Sequence, residues 1–182
     1  MLSFLLLPLY TGILATTGYG EVSVIFAYFA LFNVLLAYGM ETAFFRFFHG
    51  DEDKDKVVST SLLSILATTF LFVIVAFLFQ NSIAEIIDID VRYIRYAIGI
   101  LALDALVIIP FAWLRANENP IGYAVIKILN VTINLGLNLF FLLLLPQLSE
   151  DNATGIFSSI YRPNFEISYI FISNLIASGI TL

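Results

Sequence analysis

Asp104 is a carboxylate at the midpoint of a largely apolar stretch, Ile94 to Leu114. At the centre of a bilayer such a group costs at least about 2.5 kcal/mol, so it points to a bound ion, a proton relay or a polar partner. The bland alternative is a protonated carboxyl held in an interhelical hydrogen bond. Glu41 and Arg46 raise the same question within the apolar segment Val22 to Phe48. Five residues apart, they stand about 140° from each other around a helix and cannot pair along one face. Each therefore needs a partner on another helix or a hydrated cavity, unless Arg46 snorkels to the interface.

Lys127, Asn130, Asn134 and Asn138 form a pattern. At helical spacing they fall within about 80° of each other, a polar stripe some three turns long on an apolar helix. Side-chain amides both donate and accept, so the stripe could line a hydrated path or bind sugar hydroxyls. Equally, it could be interhelical glue, with Gly136 permitting close approach. Other signals are weaker. The triplet Asn152-Ala-Thr154 has the form of a glycosylation sequon, and Asn130-Val-Thr132 repeats it inside an apolar segment. His49, Asp51, Glu52 and Asp53 are adjacent in sequence without ligand spacing, which reads as a solvated loop rather than a metal site. No phosphate loop, nucleophile elbow or zinc motif occurs, so no catalytic residue, metal or cofactor is called for.

The elements that must position these side chains follow from composition. Of 182 residues, 60% are hydrophobic and only 12% charged, and Phe alone contributes 18. Mean hydropathy is +0.98. A soluble fold of this size needs a polar surface that this sequence cannot supply, and disorder is excluded with it. The net charge of −6, with 8 Lys and Arg, argues against nucleic acid as a partner. There is no Cys, hence no disulfide framework. The expectation is an all-α, polytopic transmembrane helix bundle whose first partner is the lipid bilayer.

A crossing needs roughly 20 apolar residues. Residues 22–48, 57–79, 94–114 and 121–145 meet that requirement. Two further apolar segments, 2–15 and 169–182, are about 14 residues each, roughly 21 Å of helix, and read as partial spans of a longer protein. About six segments thus form a single transmembrane domain over 1–182. A signal peptide is disfavoured, because no Lys or Arg precedes Arg46 and Pro8 interrupts the apolar run.

The breaks carry their own signals. HGDEDKDK (His49 to Lys56) is too polar for lipid. Ser82 and Glu85 match a capping box that would open an interfacial helix, Ile83 to Tyr93. Asn119-Pro120 reads as an N-cap followed by Pro at the first helical position. Pro146 to Ser168, with Ser149, Asp151, Asn152, Gly155 and Pro163 as turn residues, is the longest connection. Arg46, Lys54, Lys56, Arg115 and Lys127 gather on one side, against Arg92, Arg95 and Arg162 on the other, which places HGDEDKDK and the turn after Arg115 in the cytoplasm. Trp113, Tyr93 and Tyr96 fit interfacial aromatic belts.

On these residues the chain resembles the polysaccharide-transporter branch, O-antigen-flippase-like, of the multidrug/oligosaccharidyl-lipid/polysaccharide flippase superfamily. The resemblance rests on LLLPLYTGILATTGYGEVSV (Leu5 to Val24), a P-x-Y-T followed by a short loop ending Tyr-Gly, and on YGMETAFFRFF (Tyr38 to Phe48). LRANENP (Leu114 to Pro120), the Asn-bearing fifth helix and ISNLIAS (Ile172 to Ser178), which contains Asn174, complete the set. The resemblance implies about 12 to 14 helices in two lobes related by an axis along the membrane normal, of which this chain would be most of one. It implies export of a lipid-linked oligosaccharide across the bacterial inner membrane by alternating access, with a coupling cation as a further partner. Glu41, Arg46, Asp104, Arg115, Lys127, Asn130, Asn134, Asn138 and Asn174 become candidate cavity or gate positions. Transport would require the remaining half of the transporter, so no activity is expected of the single lobe.

Physically the assignment is coherent. An anionic headgroup cannot cross hydrocarbon without a hydrated cavity, and guanidinium suits a pyrophosphate through paired charged bonds. Two other readings compete. A multidrug exporter of the same superfamily would use Asp104 as its coupling site and would transport organic cations. A membrane-embedded glycan polymerase or transferase would present a large loop rich in acids or Arg, and Pro146 to Ser168 is short for that.

Overall fold

The computed structural model describes residues 6–50, 53–151, 161–162 and 165–182, and among these every regular element is a helix. In chain order they are α1 (Leu7–Ile13), α2 (Thr16–Ala37), α3 (Met40–Gly50), α4 (Lys54–Leu78) and α5 (Gln80–Ile87). There follow α6 (Val91–Leu106), α7 (Ile108–Ala116) and α8 (Pro120–Leu139), which runs through a π-turn at Phe140–Leu144 into α9 (Leu145–Asp151), and then α10 (Glu166–Ile180). Four stretches are long and apolar enough to cross a membrane: Thr16–Gly50, Lys54–Leu78, Val91–Ala116 and Pro120–Ser149. The shortest, at 25 residues, rises about 37 Å against a ~30 Å hydrocarbon core. Large apolar side chains face outward all along them, with Phe70 68% and Leu78 75% exposed. Such a surface is at home only in lipid. The chain is an all-α membrane protein.

Val91–Ala116 is the hub, packing against α2, α4, α8 and α10 and, through α7, against α3. Its small residues allow this. A Cβ on Gly99 would lie 3.1 Å from Leu175 Cδ1, so α10 approaches α6 more closely there than a larger residue permits. Phe171, fully buried, meets Phe26, Phe29 and Tyr93 edge-on or tilted and joins α10 to α2 and α6. A second apolar cluster joins Leu6 and Tyr10 to Leu142, Leu145 and Ile170. A third, Phe44, Phe48, Ile65, Ile109 and Ala112, clamps α3 between α4 and α7.

Several expected boundaries move. The first long span starts at Thr16 rather than Val22, and the loop expected to end at Tyr19-Gly20 shrinks to the extended pair Leu14-Ala15. The stretch 22–48 is divided, because Tyr38 (φ 30°) and Gly39 (φ 75°) are left-handed and end α2 before α3 begins. The capping box at Ser82 does not form: α5 starts at Gln80, with no side-chain cap. It stops at Asp88, whose φ of 52° prevents one helix from running through to Tyr93. Tyr93 itself is buried rather than part of an interfacial belt. Pro146 to Asp151 is helical rather than turn. Gly136 has no neighbour within 4 Å of a built Cβ, so it is not a point of close approach. Asn119 does cap α8, its Oδ1 accepting from Gly122 N–H at 3.0 Å ahead of Pro120. Asp51, Glu52, Asn152, Thr154, Gly155 and Pro163 lie outside the described residues.

Two prolines shape the hub and its neighbour. Pro110 cannot donate to the carbonyl of Leu106, four residues earlier, and the helix breaks at Val107 between α6 and α7. Pro146 has the same relation to Leu142, and the ladder there widens into the π-turn.

Candidate functional site

Asp104 lies in the last turn of α6, just before the break at Val107. Its Oδ1 accepts from Ser178 Oγ of α10 at 3.3 Å, and its Oδ2 from Asn33 Nδ2 of α2 at 3.5 Å. Three helices therefore converge on one carboxylate midway along the hub span. Beside it a cleft of about 40 Å³ is lined by Asp104, Phe111, Lys127, Asn130, Ser178 and Thr181. Asn130 Nδ2 donates to Thr181 Oγ1 at 2.9 Å, closing the cleft between α8 and α10. Lys127, exposed on α8, sets its Nζ 4.9 Å over the Phe111 ring, a cation–π contact at the rim of the cleft. A volume of that order has room for a few waters, which need about 10–15 Å³ of such space each. Carboxylate, ammonium, amide and hydroxyls thus share one small polar cleft between the spans. The set can hold a proton or a small cation on oxygen, or bond to hydroxyl groups.

The remainder of the stripe has a different environment. Asn134 and Asn138 are 2% and 0% exposed. Asn138 Nδ2 donates to Asn134 Oδ1 at 2.7 Å and to the Asn134 carbonyl at 2.8 Å, while Tyr10 Oη donates to Asn138 Oδ1 at 3.1 Å. This network docks α1 onto α8 immediately before the π-turn. Hence the four-residue pattern divides: Lys127 and Asn130 line the cleft, whereas Asn134 and Asn138 serve packing.

A third polar group sits at the other end of the hub. Glu41, in the first turn of α3, pairs with Arg115, in the last turn of α7, at 2.9 Å. Both positions suit the helix dipoles. The Arg115 guanidinium also lies 5.5 Å from the Phe45 ring centroid and 5.2 Å from that of Tyr123, and its Nε donates to the Phe111 carbonyl at 3.2 Å. Arg115 therefore ties α3, α7 and α8 together. Arg46 is exposed one turn before the end of α3, and among the described residues it makes no ion pair. That placement matches snorkelling. Asn174, half-buried, stands one turn before Ser178 on α10.

The chain matches no family model, no curated protein and no solved structure. The site therefore rests on its own geometry. Sequence reasoning missed Asn33, Ser178, Thr181 and Tyr10, polar residues in or beside apolar helices that are unremarkable until a partner faces them. His49 and Asp53 have local partners: the imidazole Nδ1 lies 2.9 Å from the Phe45 carbonyl, and Asp53 caps α4 through Lys56 N–H. Among the described residues no His, Asp and Glu cluster has metal-ligand geometry.

Proposed function

We propose that this protein is a membrane transporter of the polysaccharide-flippase type that its sequence resembles, moving a lipid-linked oligosaccharide across the bacterial inner membrane. The observation that supports this reading is the polar cleft at Asp104, where a carboxylate and an ammonium are kept in two neighbouring spans that otherwise need neither. A structural bundle has no use for an open polar space at that depth, because filled apolar packing avoids the cost of the charges. A transporter needs groups there that rearrange as its lobes rock. On this reading the bundle is one lobe, and Asp104, Lys127 and Asn130 form a coupling or substrate-contact point on its inner face. Glu41–Arg115 fastens the cytoplasmic ends of the helices.

The test is made at the native locus, so that the whole gene product is present. Asp104→Asn and Lys127→Met are expected to lower surface glycan about tenfold or more, with protein abundance unchanged and lipid-linked precursor accumulating on the inner leaflet. A locus deletion that leaves glycan and precursor levels unaltered refutes the reading. Asp104 also suits a cation-coupled multidrug exporter, which the same strains separate: loss of organic-cation efflux with normal surface glycan identifies that activity instead.

A further inference from the structure

A second cavity lies at the α5 end of the bundle, and Asp104 does not line it. It is a groove of about 260 Å³ between α2, α4, α5 and α6. Phe29, Phe32, Phe72, Ile83, Ile87 and Ile98 are among its walls, and apart from the Tyr28 hydroxyl its lining side chains are hydrocarbon or aromatic. From Ile94 to Leu101 it follows α6 for roughly 10 Å. Water gains nothing in such a space.

Polar groups stand nearby on two of the same helices. Gln80 begins α5 on the face that carries Ile83 and Ile87, and Arg95 lies one turn before Ile98 on α6. Arg95 Nε donates to Gln80 Oε1 at 2.8 Å, which holds the guanidinium between α5 and α6, two of the helices that wall the groove. Its neighbour Arg92 is neutralised by Asp90 at 2.8 Å. Arg95 instead has a neutral amide for its partner and, among the described residues, no ion pair. A cationic group beside an apolar slot, at the end of a membrane span, has the shape and charge of an anionic amphiphile in reverse.

We infer that this groove binds one anionic phospholipid, its acyl chain lying between α2, α4 and α6 and its phosphate on Arg95. Guanidinium favours phosphate through paired charged hydrogen bonds, and Gln80 holds the side chain ready for them. The lipid would fill the groove where helix packing does not, wedging α5 against the bundle. The inference depends on membrane location alone, not on the transport reading.

The full chain, purified in detergent, is mixed with equal phosphatidylglycerol and phosphatidylcholine and weighed intact by native mass spectrometry. In vesicles of the same lipids, chain-labelled phosphatidylglycerol reports the motionally restricted fraction by electron spin resonance. The expected result is preferential retention of one phosphatidylglycerol. Arg95→Gln should reduce the preference roughly five-fold. Arg92→Gln should leave it intact, and Ala97→Leu, which narrows the groove, should lower the restricted fraction of either lipid. Equal retention of both lipids by the unaltered chain overturns the inference. So does a preference that survives Arg95→Gln in folded protein, or stronger retention of an added polyprenyl phosphate than of phosphatidylglycerol.

Discussion

Asn138 and Asp104 are both polar groups in apolar helices, yet their surroundings assign them opposite work. Asn138 is fully buried, and its amide is bonded to Tyr10 and twice to Asn134. Asn138→Leu would leave the Tyr10 hydroxyl and the Asn134 amide without this partner in a dry setting. Interhelical hydrogen bonds in membranes average about 0.6 kcal/mol and reach about 1.7, so a loss of roughly 1–2 kcal/mol is expected. It should appear as a lower unfolding temperature in detergent and reduced abundance in cells. Asp104 faces a cleft that can hold water, and Asp104→Asn keeps an acceptor for Ser178. Its stability should change little while transport falls. A variant pair that behaved the other way round would exchange the roles given to these residues.

At the scale of elements, α6 owes its start to one side chain outside the span. Asp90 accepts from Arg92 N–H at 2.8 Å and binds the guanidinium through Nε and Nη2. These bonds from Arg92 hold the carboxyl below the ordinary carboxylate range. A depressed folded-state value means the cap's contribution is complete above the unfolded value, near 3.9. It is lost as pH falls through the lower folded one. Asp90→Ala should therefore cost about 1 kcal/mol at pH 7, the usual worth of an N-cap, and progressively less on acidification. Thermal unfolding of both proteins from pH 7 down to pH 3 measures it, and a difference that does not shrink would remove the cap from this role. Elsewhere the element boundaries depend on backbone exceptions. Tyr38, Gly39 and Asp88 adopt left-handed conformations, and Pro110 interrupts the hub beside Asp104.

For the whole molecule, four long spans in succession place alternate connections on opposite sides of the membrane. Asp53 and Asn117 should share a face, with Glu85 on the other. Native Cys is absent, so single cysteines at these exposed positions can be labelled without background. With the basic residues weighted by the positive-inside rule, Asp53 and Asn117 are expected to react only from the cytoplasm. Labelling of Glu85→Cys from the same side as Asn117→Cys would remove one of the crossings on which the bundle depends.

Composition and period alone determined that this chain lives in a bilayer as helices. Hydrocarbon leaves no other way to satisfy the backbone of a chain so apolar. The same local chemistry located the Asn119-Pro120 start, because a cap needs only its own neighbours, and marked Asp104 as anomalous, because a charge in a long apolar run is visible in one dimension. Tertiary structure decided what each polar residue does. The period that aligned Lys127, Asn130, Asn134 and Asn138 could not say that Tyr10, 128 residues from Asn138, would occupy one end of the stripe while Asp104 and Thr181 faced the other. Nor could it join Glu41 to Arg115, or show that Gly99 rather than Gly136 is where helices touch. Those outcomes depend on which helix lies opposite, and that is set by the packing of side chains distant in sequence.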